Sequence, residues 1–354
     1  METKGAMRVG IIGCGKVAQW GHIPSLLKIR NAEIVAVCDR NEDLAGRVAR
    51  KFNINAYYAD FSEMLEREAL DMVDICTSPE SHAALAIKAM ETGHHVLVEK
   101  PMALSLKEAD EMVAASKENR VKLCVVYSML FDPVVMKARS MAREGSIGRL
   151  TGIDMRISWA KDSDGIMNKD HWYHKLPGGA FGEMLPHPIY LARAFLGDLE
   201  PIAVHARKLS SYDWLFADEL RVILEGEKAM ATITSSCNWP KDATVLDIFA
   251  TKMNLHIDLM NSVIITYGAG RQRAFAGSLL ANLSEGFQHI AGAASRVLKV
   301  ILGRHHGGHY TLIQRFVESI LDGTEPPVTG EEGREVMRVY EEITAHMGIE
   351  LKGD

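Results

Sequence analysis

Short apolar runs alternate with amphipathic stretches along the first third of the chain. Residues 8–12, 33–38, 72–76, 96–98 and 121–126 are short, rich in β-branched side chains and bounded by turn formers, which predicts strands buried on both faces of a parallel sheet. Between them the spacing predicts helices from residue 18 to about 29 and over 41–51, 61–66, 83–90 and 106–117. A repeated strand–helix alternation is the pattern of a doubly wound parallel sheet. Beyond Tyr127 the pattern changes. A helix is predicted over 134–143, and then strand-like alternation dominates 150–158, 203–208, 219–224, 229–235 and 244–250. Consecutive strands without helices between them imply an antiparallel sheet and an α+β second domain.

A chain of 354 residues exceeds what one core usually serves, so the reading is two domains, 1–126 and 127–354. A hydrophobic content of 47% can fill both. The net charge of −6 supplies no basic face for nucleic acid or anionic membranes, so neither is expected as a partner. The amino terminus runs into a strand without a long apolar segment, and no later stretch reaches membrane-spanning length, which gives the expectation of a cytosolic protein. Cys14, Cys38, Cys76, Cys124 and Cys237 form no C-x-x-C pair and read as reduced core thiols. The histidines show no H-E-x-x-H, and no metal is expected.

The chemistry begins at the end of the first strand. Gly13-Cys14-Gly15-Lys16-Val17-Ala18 is G-x-G-x-x-A between a strand and a helix, the context a dinucleotide fingerprint requires. Gly13 permits the tight turn, Gly15 lets the backbone approach a pyrophosphate, and Ala18 lets helix and strand pack closely; free N–H groups and the helix dipole then favour the anion. The second strand ends on Asp39, at the spacing where an acid holds the adenine-ribose hydroxyl pair. That acid would repel a 2′-phosphate, so NAD is expected rather than NADP, although the neighbouring Arg40 could stack on adenine or grip that phosphate. The run at 96–98 leads into Glu99-Lys100-Pro101 at the carboxyl end of a parallel strand, where open α/β sheets bind ligands. Pro101 biases Lys100 towards extended backbone and sends its side chain off the sheet in a set direction; the alternative is a surface lysine after a strand.

The second chemical stretch runs from Asp170-His171-Trp172-Tyr173-His174-Lys175 through Pro177-Gly178-Gly179 to Glu183 and His187. Glu183 and His187 are four apart and share one face of a helical turn. Pro186 and Pro188 predict a bent start to a helix that continues over 189–196 and stops at Gly197. The alternative is a capping carboxylate and a packed histidine.

Together these residues resemble the glucose-fructose oxidoreductase, inositol dehydrogenase and MocA family of NAD(P)-dependent oxidoreductases, over nearly the whole chain. The resemblance is carried by Gly13 to Ala18, the turn Thr77-Ser78-Pro79 with His82, Glu99-Lys100-Pro101, Gly178-Gly179 with the acid and histidine that follow, and the closing Glu325-Pro326-Pro327-Val328-Thr329-Gly330. It implies a Rossmann domain binding NAD through Gly13, Gly15, Lys16, Val17, Asp39, Arg40, Thr77, Ser78, Pro79, His82, Glu99 and Lys100. It also implies a sugar or polyol substrate touching Tyr127, Trp172, Tyr173 and His174, and a homo-oligomer, dimer or tetramer, built on the open face of the second-domain sheet. Two departures stand out: the family usually has Asp where this chain has Glu183, and often a basic pair where it has Met129 and Leu130, which argues against an anionic substrate group there.

The expectation is hydride transfer between a nicotinamide and a hydroxyl or carbonyl carbon. Lys100 stabilises negative charge on the substrate oxygen, His187 is the general base because imidazole exchanges a proton near neutrality, and Glu183 orients His187 or binds an adjacent hydroxyl. A lyase or glycosidase using transient oxidation and a non-catalytic NAD-binding regulator are the alternatives, the second disfavoured by the presence of Lys100 and His187. Over 279–302, Leu280, Leu283, Phe287, Ile290, Ala294, Val297 and Ile301 form one helical stripe opposite Glu285, Gln288, Arg296 and Lys299. That stripe packs on its own domain, or borders the open face of the second-domain sheet and helps form the oligomer, or, third, lies on a membrane surface, which the acidic net charge and few basic residues disfavour.

Overall fold

A computed structural model describes residues 6–268, 275–301 and 307–347. The chain divides into two compact units, Met1–Ser128 with Gly308–Arg338, and Met129–Gly307 with Val339–Asp354.

The first unit is built on a six-stranded sheet of β1 (Met7–Ile12), β2 (Ala32–Cys38), β3 (Ala56–Tyr58), β4 (Met72–Ile75), β5 (His95–Val98) and β6 (Leu123–Val125). Their order is β3-β2-β1-β4-β5-β6 and every pairing is parallel. β4 is buried along its whole length, as a strand covered on both faces must be. The order reverses at β1 and β4, which places the glycine turn and residues 76–82 at the switch point. After a π-helical turn, Ala18–His22, come α1 (Ile23–Leu26), α2 (Glu42–Phe52), α3 (Phe61–Arg67), α4 (His82–Glu91) and α5 (Leu106–Glu118). Asn41, Asp60 and Ser105 cap α2, α3 and α5 by accepting backbone N–H groups. The expected first helix is thus shorter and opens with a wider turn. β3, absent from the expectation, is a three-residue edge strand too short to show a period.

The second unit holds a seven-stranded sheet of β7 (Leu150–Ala160), β8 (Leu199–Arg207), β9 (Glu219–Gly226), β10 (Met230–Trp239), β11 (Ala243–Ala250), β12 (Met253–Asp258) and β13 (Val263–Gly268), in the order β13-β12-β11-β7-β10-β9-β8. All pairs are antiparallel except β7 with β10. Ile153, Met155 and Ile157 of β7 and Leu220, Val222 and Leu224 of β9 are buried, while the residues between them face outward. On that outward side Asp247 pairs with Arg156 at 2.6 Å and with His256 at 2.6 Å. The helices are α6 (Pro133–Arg143), α7 (Asp164–Met167), α8 (Ala180–Met184), α9 (Pro186–Leu196) and α10 (Phe275–Ile301). α8 packs on β10, and α9 on β7 and β10.

α10 lies where the stripe predicts a helix, although Leu302 falls outside the described residues. Its packing differs from the simpler expectation. Gln288 accepts from Thr266 N–H at 2.9 Å and Glu285 accepts from the Tyr267 hydroxyl at 2.9 Å, so these two polar residues meet β13. Leu283, Phe287, Ile290 and Val297 stay exposed, Phe287 at 71%.

Two helices complete the chain, α11 (Gly308–Asp322) and α12 (Gly330–His346). α11 returns to the first unit, where it packs against α1 and buries Leu312, Ile313, Phe316 and Val317; Lys122 Nζ donates to the Ser319 carbonyl at 2.8 Å. The first unit is therefore not the continuous stretch 1–126, because its helical layer is completed from 308–338, a contact that no local pattern announces. No helix among the described residues is long and apolar enough to cross a membrane.

Candidate active site

Gly13 sits at φ +91°, and a Cβ there would lie 2.7 Å from the Cys76 carbonyl carbon and 2.8 Å from the Thr77 nitrogen. Glycine is therefore required both by backbone conformation and by the close approach of the β1 and β4 ends. Gly15 is different: a Cβ built on it meets nothing within 4 Å, so its backbone fronts open space. Lys16 is exposed, Val17 half-buried and Ala18 buried against the fold. The Asp39 carboxylate accepts from Cys14 N–H at 2.9 Å through one oxygen and from Asn41 N–H at 2.9 Å through the other, and Arg40 beside it is exposed. An open glycine turn beside a fixed, half-buried carboxylate suits a dinucleotide, whose pyrophosphate needs close backbone and whose ribose diol needs an acceptor.

The turn after β4 is held from within. Ser81 Oγ donates to Thr77 Oγ1 at 2.7 Å, Ser78 remains half-exposed and Pro79 is buried. His82, expected at the cofactor, is fully buried; its Nδ1 lies 2.9 Å from the Pro101 carbonyl and its Nε2 3.0 Å from the Thr77 carbonyl. Burial, the largest influence, holds its pKa below the ordinary value, and the ring lies inside the fold between the Thr77 turn and the Lys100–Pro101 segment. Glu99 is likewise interior. Its Oε1 lies 2.9 Å from His22 Nε2 and its Oε2 accepts from Lys100 N–H at 3.0 Å. Lys100 itself is half-buried. Tyr127, expected at the substrate, is 1% exposed, and its hydroxyl faces the Gly333 carbonyl at 3.4 Å. His82, Glu99 and Tyr127, expected at the cofactor and the substrate, are thus turned into the fold by these partners.

His22 was not singled out by any motif. Its Nδ1 lies 2.9 Å from Asp74 and its ring is fully buried. Burial alone would lower its pKa, but Asp74, and Cys76 after it, raise it well above the ordinary value. Glu99 is driven the other way: burial raises its pKa, yet hydrogen bonds from His22 and His309 bring it well below the carboxylate range. The unit thus buries an imidazolium between two carboxylates. His22, Glu99 and His309 also bring three metal-capable atoms within 4.8 Å of one another, and His22 Nε2 to Glu99 Oε1 is a hydrogen-bond distance.

In the second unit, residues 180–192 are buried at every position but two, Glu183 and His187. α8 and α9 join through Leu185 in helical conformation, so the two polar side chains sit one turn apart on the only accessible face. The approach is fixed by Gly178 at φ +81° and Gly179 at φ +58°, and by Tyr340, whose hydroxyl donates to the Pro177 carbonyl. His187 Nδ1 lies 2.8 Å from the Tyr190 hydroxyl, a buried partner three residues on that an i, i+3 reading could have found. Tyr173 packs edge-on against Trp172 at 4.4 Å and His171 at 4.1 Å, and tilted against Trp159 at 4.4 Å. Burial, then the nearby Glu183 charge, raise its pKa, so the phenol stays neutral. Trp172 is half-buried, and His174 donates to the Asn168 carbonyl at 3.1 Å; burial lowers its pKa.

Two family descriptions match the chain: the oxidoreductase family with an NAD-binding Rossmann fold over residues 7–127, and the GFO/IDH/MocA C-terminal domain over residues 135–256. Myo-inositol 2-dehydrogenase of Thermotoga maritima is 25% identical over 334 residues, covering 93% of this chain and 92% of the relative. Oxidoreductase P35 of Formosa agariphila is 30% identical over 197 residues, 54% of this chain and 61% of the relative. Among solved structures, the WlbA dehydrogenase from Bordetella pertussis, in complex with NADH and UDP-GlcNAcA, superposes with a TM-score of 0.79 at 20% identity, covering 97% of this chain and 96% of the other. The glycine turn, the lysine strand end and the Glu183–His187 face thus stand in a chain that belongs to the GFO/IDH/MocA family of NAD-binding oxidoreductases.

Proposed function

We propose that the protein is a dehydrogenase of a sugar or polyol that prefers NAD to NADP. The observation that carries this reading is the pair Glu183 and His187, left as the only accessible side chains on an otherwise buried helical face. The myo-inositol dehydrogenase relative supports the substrate class.

Gly13 and Gly15, with Lys16, Val17, Arg40, Thr77 and Ser78 around them, would hold the dinucleotide phosphates and flanking groups, and Asp39 the adenine-ribose hydroxyls. Bound NAD would supply the hydride acceptor for the carbon bearing the hydroxyl. Lys100 stabilises the negative charge that grows on the substrate oxygen, as a positioned cation does for any developing oxyanion. His187 accepts the hydroxyl proton at Nε2, with its ring oriented by the Tyr190 hydroxyl 2.8 Å from Nδ1. Glu183 accepts a hydrogen bond from a neighbouring hydroxyl, and Trp172 and Tyr173 offer aromatic faces to the C–H side of a sugar ring.

The outward apolar face of α10 supports a homo-oligomer, and the five buried free thiols support a cytosolic setting. A panel of polyols and sugars including myo-inositol, scored with NAD⁺ by NADH formation and by product mass, tests the reading. Oxidised product with matching NADH is the expected result. A product formed without net NADH points to transient oxidation, and no reaction across the panel argues against the substrate class.

A further inference from the structure

We infer that His22 is a positioning residue for Lys100, acting through Glu99. The inference rests on the role proposed above for Lys100. A flexible lysine stabilises a developing charge only when its backbone is held, since a misplacement of about 1 Å costs about a hundredfold in rate.

The Lys100–Pro101 segment is gripped on both sides by buried groups. On one side the Lys100 N–H donates to Glu99 Oε2 at 3.0 Å; on the other the Pro101 carbonyl lies 2.9 Å from His82 Nδ1. Glu99 would be free to swing if its other oxygen were unheld, but His22 Nε2 donates to Oε1 at 2.9 Å, and the Asp74 carboxylate on β4 fixes the far side of the imidazole at 2.9 Å. The chain of contacts therefore runs from a neighbouring strand, through a ring with no exposed surface, to the peptide that carries the lysine. The other groups facing His22 and Glu99 are Cys76 after β4, His82 of α4 and His309 of α11, whose Nε2 is 3.6 Å from Glu99 Oε1; Trp20 lies edge-on to His309 at 4.9 Å. Asp74 and Glu99 are both acceptors, so the ring must donate from both nitrogens, and its raised pKa supports that state.

The test compares wild type with His22→Gln and Glu99→Gln in the full chain, the second variant serving if the first fails to fold by circular dichroism. Amide hydrogen exchange needs no substrate: exchange at Lys100 should quicken at least about tenfold while Leu97 inside β5 is unchanged. On the fastest polyol of the panel, kcat should fall at least about tenfold with KM for NAD⁺ within about threefold. In a Lys100→Ala background the His22 substitution should cost nothing further, because two residues acting as one unit are not additive. Unaltered exchange at Lys100, unaltered kcat, or the same loss in the Lys100→Ala background overturns the inference while leaving the lysine's role intact. A Lys100→Ala enzyme that keeps wild-type turnover removes that role and the inference with it.

Discussion

Asp39 is held against the glycine turn by the Cys14 N–H, 2.9 Å from one carboxylate oxygen. That bond ties the acid to the place where the dinucleotide phosphates are expected, and a 2′-phosphate on the same ribose would meet its charge. Two like charges at about 4 Å repel by about 1 kcal/mol in bulk water and about 4 kcal/mol near a protein surface. NADPH is expected to bind at least about tenfold more weakly than NADH, and Asp39→Ala should narrow the gap by relieving that repulsion. Titration calorimetry with both cofactors measures it; equal affinities for the wild type would refute the preference.

Lys100→Ala should lower kcat by at least about a hundredfold, the scale of losing one charge-stabilising donor. His187→Ala should cost about 10²- to 10⁴-fold, the range for a general base. NADH affinity, read by fluorescence titration, should stay near wild type in both, because the glycine turn and Asp39 are untouched. Near wild-type rates in either variant would remove that residue from the reaction.

The His22–Glu99 pair should leave a signature in stability against pH. The raised His22 pKa contributes stability that is whole below its ordinary value of 6.5 and lost as pH rises through the raised one. The lowered Glu99 pKa contributes stability that is whole above its ordinary value of 4.5 and lost as pH falls through the lowered one. Both are present together between 4.5 and 6.5. The difference in melting temperature between wild type and a variant carrying both His22→Gln and Glu99→Gln should therefore be largest in that window and shrink towards alkaline pH. A difference that does not change with pH would show that the pair is not ionised as described.

Gly182 precedes Glu183 at a point where a Cβ would lie 2.4 Å from the Pro177 carbonyl oxygen, 2.7 Å from Leu176 Cβ and 2.8 Å from the Tyr340 hydroxyl. Two of those neighbours belong to the turn itself and cannot yield without moving it. Gly182→Ala should destabilise the fold by about 1–3 kcal/mol, the usual cost of overpacking, seen as a lower denaturant midpoint. An unchanged midpoint would mean that the turn is slack.

The exposed apolar side of α10 calls for a cover. Light scattering at micromolar concentration is expected to find a homo-oligomer, and Phe287→Glu should dissociate it while circular dichroism stays native, since a charge at a dry contact is costly. A monomeric wild type would rule out stable association.

What the sequence determined by itself was local in origin. Periods of two and of about 3.6 residues marked most strands and helices, because side-chain direction follows backbone geometry within a few residues. Gly13, Gly15 and Asp39 were legible because the turn, its open backbone and the acid lie within one strand–helix–strand unit. Glu183 and His187 were legible as neighbours on one turn, but only the folded chain shows that every other residue of 180–192 is buried. Tertiary structure decided the rest. His22 meets Asp74 and Glu99 across 52 and 77 residues, distances at which no spacing rule operates. Glu99 is turned inward by its contact with His22, and His82 by the Thr77 and Pro101 carbonyls, so both lie beside the lysine segment. The stripe along α10 showed that the helix has two sides but not which one packs: Gln288 and Glu285 find hydrogen-bond partners on β13, while Leu283, Phe287, Ile290 and Val297 are left exposed.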